Sequence, residues 1–367
     1  MLAACGGGGA ALWSSCSSLG QHSSHGLFFH RLYSSPKGYT FKDHKLWLKG
    51  GKQACSRRFA SSSSFPLDTD MLGVGMEYQP TVDPLSTCIV PIDNKRTPKG
   101  VVHFLGGAFA GAAPTRVYGK LVENFVKQNY IVVSTAYQVT FKHDECAKSI
   151  FDRFERVFEE SVAPIIGPTA SIPVIAVGHS NGALMHALMA SMFPTRYDAC
   201  ILMAFNNRQV SEAVPVPLTS LQELVKDTKQ QQDIVSLENG VRDVVQRVSM
   251  RDMEVESALA QLGSVLDELS AGIEDFSPSP EENAVCISQK YSIPKTLLVQ
   301  FKDDSIDQSN ELYKYLRKNR RRSVTFASLP WGSHVSPVAP SMSTSGTRET
   351  REIVRLCDSF IEDRCIS

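Results

Sequence analysis

Residues 173–184 read P-V-I-A-V-G-H-S-N-G-A-L, an apolar run rich in Val and Ile that passes into a helical stretch through Gly178-His179-Ser180-Asn181-Gly182. This is G-x-S-x-G, in which a strand turns so sharply into a helix that the central serine is thrust out at the tip. The residues two before and two after that serine must lack side chains, because their Cβ atoms would meet the crossing strand and helix. Gly178 and Gly182 satisfy the condition. The five-residue pattern is weak by itself, since glycine and serine are common. Its setting constrains the fold: a β-branched run precedes it, and Ala183, Leu184, Ala187, Leu188 and Met189 follow at helical spacing. The competing reading makes Ser180 only the N-cap of a buried helix.

From residue 99 onward, strand-like runs alternate with amphipathic stretches, the sign of an α/β chain with a mostly parallel central sheet and helices on both faces. Strands are predicted at 101–105, 130–136, 172–177, 198–205, 295–301 and 323–329, and helices at 115–128, 143–162, 180–193, 305–318 and 347–361. One or two edge strands are expected within 78–91. Between 208 and 291 the alternation stops. That stretch is Gln-rich and charged, with Val241, Val244, Val245, Val248, Leu259, Leu262, Leu266 and Leu269 at helical spacing. It reads as a helical, lid-like insertion within the domain, because it is too short and polar to bury a core of its own. Such an insertion would be placed to cover an apolar substrate.

A serine hydroxyl needs a base to take its proton and a third group to orient that base. In a fold with this elbow, both follow the serine, each in a loop after a later strand. The strand at 295–301 leads into Lys302-Asp303-Asp304-Ser305-Ile306-Asp307, and the last strand into Pro330-Trp331-Gly332-Ser333-His334-Val335. Of nine histidines, His334 alone falls in a loop after the final strand. It is the expected base. His179, inside the elbow, is expected to face away from the serine. For the acid, Asp304 best fits the offset from the strand end, with Asp303 and Asp307 open; the alternative is that this acidic cluster merely caps the next helix. The oxyanion of a tetrahedral intermediate would be held by the backbone N–H of Asn181 and by one from the loop His103-Phe104-Leu105-Gly106-Gly107-Ala108-Phe109-Ala110-Gly111, through Gly107 or Ala108. No G-x-G-x-x-G and no Lys-Ser/Thr pair opens the helix after that loop, which argues against a phosphate cradle.

The runs H-F-L-G-G-A-F-A-G-A-A-P, G-H-S-N-G-A-L and F-K-D-D-S-I-D-Q-S together resemble a plant and cyanobacterial family of α/β-hydrolase-like plastid proteins of unknown function. The resemblance extends from about Tyr78 to the C-terminus. It implies the α/β-hydrolase fold and a plastid address, and it supplies no substrate. The residues themselves point to a serine hydrolase acting on an ester or thioester, with a small-molecule or lipid ester as substrate. A non-catalytic binding protein on the same fold, or an acyltransferase using the same elbow, are the rival readings.

Composition bears on the remaining classes. With 38 basic and 38 acidic residues, the chain has no cationic surplus for nucleic acid. Its longest apolar runs fall short of a membrane span. The balance hides an asymmetry: before Asp68 the sole acidic residue is Asp43, against eight basic ones and frequent serine, including Ser61 to Ser64. Residues 1–64 therefore read as a transit peptide and 65–367 as the folded domain. Low arginine with high serine favours the plastid over the mitochondrion. No cysteines stand in paired C-x-x-C spacing, so neither a zinc site nor a disulfide framework is expected, and no cofactor is required.

Overall fold

The computed structural model describes residues 75–92, 97–108, 110–168, 171–209, 268, 271–273, 275–339 and 346–366. The transit-peptide reading of 1–64 lies outside them, as do the periodic positions from Val241 to Leu269 on which the lid reading rests.

The strands are β1 (Met76–Gln79), β2 (Ser86–Pro91), β3 (Gly100–Leu105), β4 (Tyr130–Thr135), β5 (Val174–His179), β6 (Ala199–Met203), β7 (Lys295–Asp303) and β8 (Ser323–Ser333). They form one sheet in the order β1-β2-β4-β3-β5-β6-β7-β8. The two edge strands β1 and β2 run antiparallel, and the remaining pairs from β4 to β8 are parallel. The helices are α1 (Pro114–Val117), α2 (Gly119–Lys127), α3 (His143–Val157), α4 (Ala163–Ile166), α5 (Asn181–Met192), α6 (Pro280–Lys290), α7 (Ser309–Leu316) and α8 (Thr347–Ile361).

Central strands covered on both faces must be apolar throughout, and successive side chains must serve opposite layers. On β3, Val101 and Leu105 enter one core with α3, α5, α6 and α7, whereas Val102 and Phe104 enter the other with α2 and α8. β5 repeats the pattern with Val174 and Ala176 against Ile175 and Val177. The chain leaves β3 for β4 on one side, then crosses back to β5 on the other. Such a reversal opens a crevice at the carboxyl ends of β3 and β5, where α/β sheets bind ligands.

Several boundaries differ from the sequence reading. β5 continues two residues beyond the predicted end, through Gly178 and His179. The helix predicted at 115–128 is broken at Tyr118, whose backbone leaves helical geometry between α1 and α2. β8 runs on through Pro330 and Gly332 to Ser333. Proline normally ends a strand because it lacks an N–H, but β8 is the sheet's last strand and its outer side has no ladder to lose. The end of the predicted insertion is also reassigned: α6 is a crossover helix packed on α5, with Ile287 in the core. A capping box at its start, Ser279 with Glu282, explains its sharp beginning. Asn207, just after β6, donates to Pro280 O at 2.8 Å and accepts from Asn283 Nδ2 at 3.1 Å, so the segment leaves and re-enters the domain at one place. Among the described residues no helix is long and apolar enough to cross a membrane.

Four histidines are built into this body. His103, His179 and His186 are almost wholly inaccessible, and His143 nearly so. Burial lowers their pKa values, to about 3 for His179 and His186 and about 4 for His143. All four are therefore neutral in the folded chain at pH 7. Above about pH 6.5 the unfolded chain holds them neutral too, and they add no pH dependence. Below it, the unfolded state gains protons that the folded state refuses, so stability falls by about 1.4 kcal/mol per pH unit for each such histidine. Urea midpoints measured from pH 7 down to 4.5 should drop steeply once below 6.5. A flat profile would contradict neutral burial.

Candidate active site

The elbow begins where β5 ends at His179, still paired with β6, and Ser180 follows beyond the sheet. Ser180 has φ 54° and ψ −121°, a conformation that side chains of its handedness rarely adopt. It is held there because Ser180 N–H donates to Met203 O at 2.9 Å and α5 starts at the next residue. A Cβ on Gly182 would lie 2.5 Å from Leu105 O and press on Gly106 O as well. Those atoms are backbone and cannot rotate away. Gly182→Ala is expected to cost about 3 kcal/mol or more, at the upper end for overpacking. That corresponds to a fall in Tm of roughly 6 °C or more, readable by calorimetry. An unchanged Tm would mean that the elbow and the β3 loop do not meet as described.

β7 and β8 supply the two other polar groups. Their pairing continues past a register shift after Phe301 to Asp303 against Ser333, so Asp304 and His334 emerge side by side at the same end of the sheet. His334 Nδ1 lies 2.8 Å from Asp304 Oδ2, and His334 Nε2 lies 2.9 Å from Ser180 Oγ. The turn carrying His334 is closed by Ser336, whose hydroxyl accepts from Ser333 N–H at 3.0 Å. The Asp304 side chain is fully shielded from solvent. Burial pushes its pKa up, but the hydrogen bond and charge of His334 outweigh this and hold the carboxyl below its ordinary value. Asp304 Oδ1 also accepts from Ile306 N–H at 3.1 Å.

The two other carboxylates are thereby set apart. Asp303 is exposed at the end of β7. Asp307 accepts from the Ser309 N–H at 2.6 Å and the Ser309 hydroxyl at 3.2 Å at the start of α7, and burial pushes it up to about 6. Asp307 thus holds the first residue of α7, close to the role the sequence offered as the alternative for the whole acidic cluster.

Two backbone donors next to residues of this site have no hydrogen-bond partner among the described residues: Asn181 N–H, at the start of α5, and Ala108 N–H, one residue after Gly107, which packs against Ser180. The helix terminus adds partial positive charge at Asn181. Gly107 does not share the role foreseen for it, because its N–H already donates to Tyr118 Oη at 2.8 Å. Of the two alternatives in that loop, Ala108 is left. The loop is gripped at further points: Tyr137 Oη donates to Gly106 O at 2.6 Å, and Gly111 N–H donates to Gly107 O at 2.6 Å. Asn181 Nδ2 in turn reaches Tyr137 Oη at 3.3 Å. Neither tyrosine was singled out by the sequence, since nothing in its local pattern marks them.

The sheet order, the strained serine between β5 and α5, and the later carboxylate and histidine define an α/β-hydrolase fold. The chain belongs to the family described as protein of unknown function (DUF1350), whose model matches residues 87–349. No curated protein matches its sequence. Among solved structures it is similar to Cfl2 from Burkholderia cenocepacia, with 15% identity, a TM-score of 0.48, and coverage of 76% of this chain and 96% of that one. It is similar as well to an inhibited esterase B from Lactobacillus rhamnosis, with 14% identity, a TM-score of 0.47, and coverage of 83% and 91%. Carboxyl esterase 2 from Tuber melanosporum gives 12% identity, a TM-score of 0.48, and coverage of 80% and 88%.

Proposed function

We propose that this chain hydrolyses a carboxylic ester or thioester through a covalent acyl-enzyme on Ser180. The observation that supports this most strongly is the unbroken series Ser180 Oγ, His334 Nε2, His334 Nδ1, Asp304 Oδ2, with links of 2.9 and 2.8 Å. Ser180 Oγ attacks the acyl carbon as its proton passes to His334 Nε2. The oxyanion is received by the N–H groups of Asn181 and Ala108, fixed dipoles that need no reorganisation as charge develops. Collapse expels the alkoxide or thiolate, which takes the proton from His334. Water then gives a proton to His334 and attacks the acyl group, and Ser180 regains its proton as the carboxylic acid leaves. Ionised Asp304 keeps the His334 proton on Nδ1, so that Nε2 is free to accept.

The basic, serine-rich composition of residues 1–64 supports a plastid address, and with it an acyl lipid or acyl thioester of that compartment as substrate. Fusing those residues to a fluorescent protein tests the address: diffuse or mitochondrial fluorescence would overturn it. The reaction itself is tested by supplying p-nitrophenyl esters of graded chain length, with and without a simple alcohol. Carboxylic acid as the main product supports hydrolysis. Predominant transfer to the alcohol would make the chain an acyltransferase, and no turnover of any ester or thioester would favour a binding protein.

A further inference from the structure

Two side chains that the reaction does not touch connect the oxyanion loop to the histidine loop. Gly107 N–H, Tyr118 Oη, the His179 ring and His334 O stand in series: Gly107 N to Tyr118 Oη is 2.8 Å, Tyr118 Oη to His179 Nδ1 is 2.8 Å, and His179 Nε2 to His334 O is 2.8 Å. Tyr118 and His179 are buried. The sequence reading turns His179 away from the serine; its ring lies between Tyr118 and the carbonyl of His334.

The direction of every bond is forced. A backbone N–H can only donate, so Tyr118 Oη accepts from Gly107. Burial raises the Tyr118 phenol well above its ordinary range, so it keeps its proton and has His179 Nδ1 to give it to. His179 is neutral, burial holding its pKa near 3, and with Nδ1 accepting, its one proton sits on Nε2. There it meets the carbonyl of His334, which can only accept. Each bond polarises the next in a buried setting of low dielectric.

We infer that Tyr118 and His179 are positioning residues, a one-way hydrogen-bonded strut that sets the β3 loop and the His334 loop relative to Ser180. At one end, the bond to Gly107 N–H fixes the residue whose own carbonyl shares a peptide with Ala108 N–H; the loop lies so close that a Cβ on Gly107 would be 3.2 Å from Ser180 Cβ. At the other, the backbone carbonyl of His334 is pinned, in the same residue as the imidazole that contacts Ser180. Two loops from opposite sides of β5 are thereby coupled through the residue that precedes the nucleophile. The inference rests on the hydrolase reading above, because positioning has meaning only for a reaction at Ser180.

The test uses the full chain, p-nitrophenyl acetate and a fluorophosphonate to count reactive serines. Tyr118→Phe keeps the ring and removes the hydroxyl. It should lower kcat per titrated site by about 10- to 100-fold with KM within twofold, the scale expected when reacting groups are displaced by a fraction of an ångström to an ångström. His179→Gln should do the same. The double variant should lose no more than the worse single one, because either change breaks the same strut. Independent losses that multiply, or a kcat per site within twofold of wild type in Tyr118→Phe, would overturn the strut. A pure packing role would lower Tm and the number of reactive serines while leaving kcat per reactive serine intact. Failure of the underlying reading looks different: wild type and Ser180→Ala would then behave alike toward both reagents.

Discussion

Ser180→Ala is expected to lower ester hydrolysis by at least about 10⁴-fold, since the nucleophile and its base act as a unit and what remains is only binding and oxyanion stabilisation. The substitution removes one oxygen, bonded to His334 at 2.9 Å, from a residue that is 8% exposed. The backbone strain at φ 54° stays, because alanine meets the same steric limits as serine. Activity should therefore vanish with Tm almost unchanged. Steady-state kinetics and calorimetry on the same preparation separate the two effects. A Ser180→Ala protein retaining a tenth of the activity would place the reaction elsewhere.

Asp304→Asn carries the second large effect. The carboxylate accepts the His334 Nδ1 proton and so keeps Nε2 bare for the serine. An amide can instead present its NH₂ to Nδ1, which drives the imidazole proton to Nε2, where it blocks proton transfer from Ser180. A loss of about 10³- to 10⁴-fold in kcat at neutral pH follows, with KM little altered. Asp303→Asn, at an exposed carboxylate, should change kcat by less than about threefold. Asp307→Asn should act mainly on stability, because that carboxylate holds the start of α7 through Ser309. Kinetic comparison of the three variants checks the choice of acid directly. The large loss appearing in Asp303→Asn or Asp307→Asn would reassign it.

The elbow was legible because its requirements are local. Two glycines, a serine and the change of periodicity from strand to helix all fall within a dozen residues, and backbone sterics alone demand them. His334 was legible by its place in chain order. The acid was only narrowed: Asp303, Asp304 and Asp307 share one loop, and which of them meets His334 depends on the register shift between β7 and β8, a property of two paired strands and not of either sequence. The end of β8 was misplaced for a related reason, as Pro330 reads as a terminator unless the strand is known to lie at the sheet edge. The choice between Gly107 and Ala108 could not be made from the loop, since it turns on a tyrosine eleven residues away that a break between α1 and α2 swings into place. The links among Gly107, Tyr118, His179 and His334 join the β3 loop, the break between α1 and α2, β5 and the turn after β8, and no periodicity or motif records such a closure.

The central claim is that Ser180 is an activated nucleophile served by His334. The chain is incubated with a fluorophosphonate at neutral pH, and the modified residue is located by intact mass and peptide mapping. One adduct per chain on Ser180 is predicted, absent from Ser180→Ala and formed at least about 10²-fold more slowly in His334→Ala, where general-base assistance is lost. An unmodified Ser180, or an adduct that forms at the same rate without His334, would contradict the account.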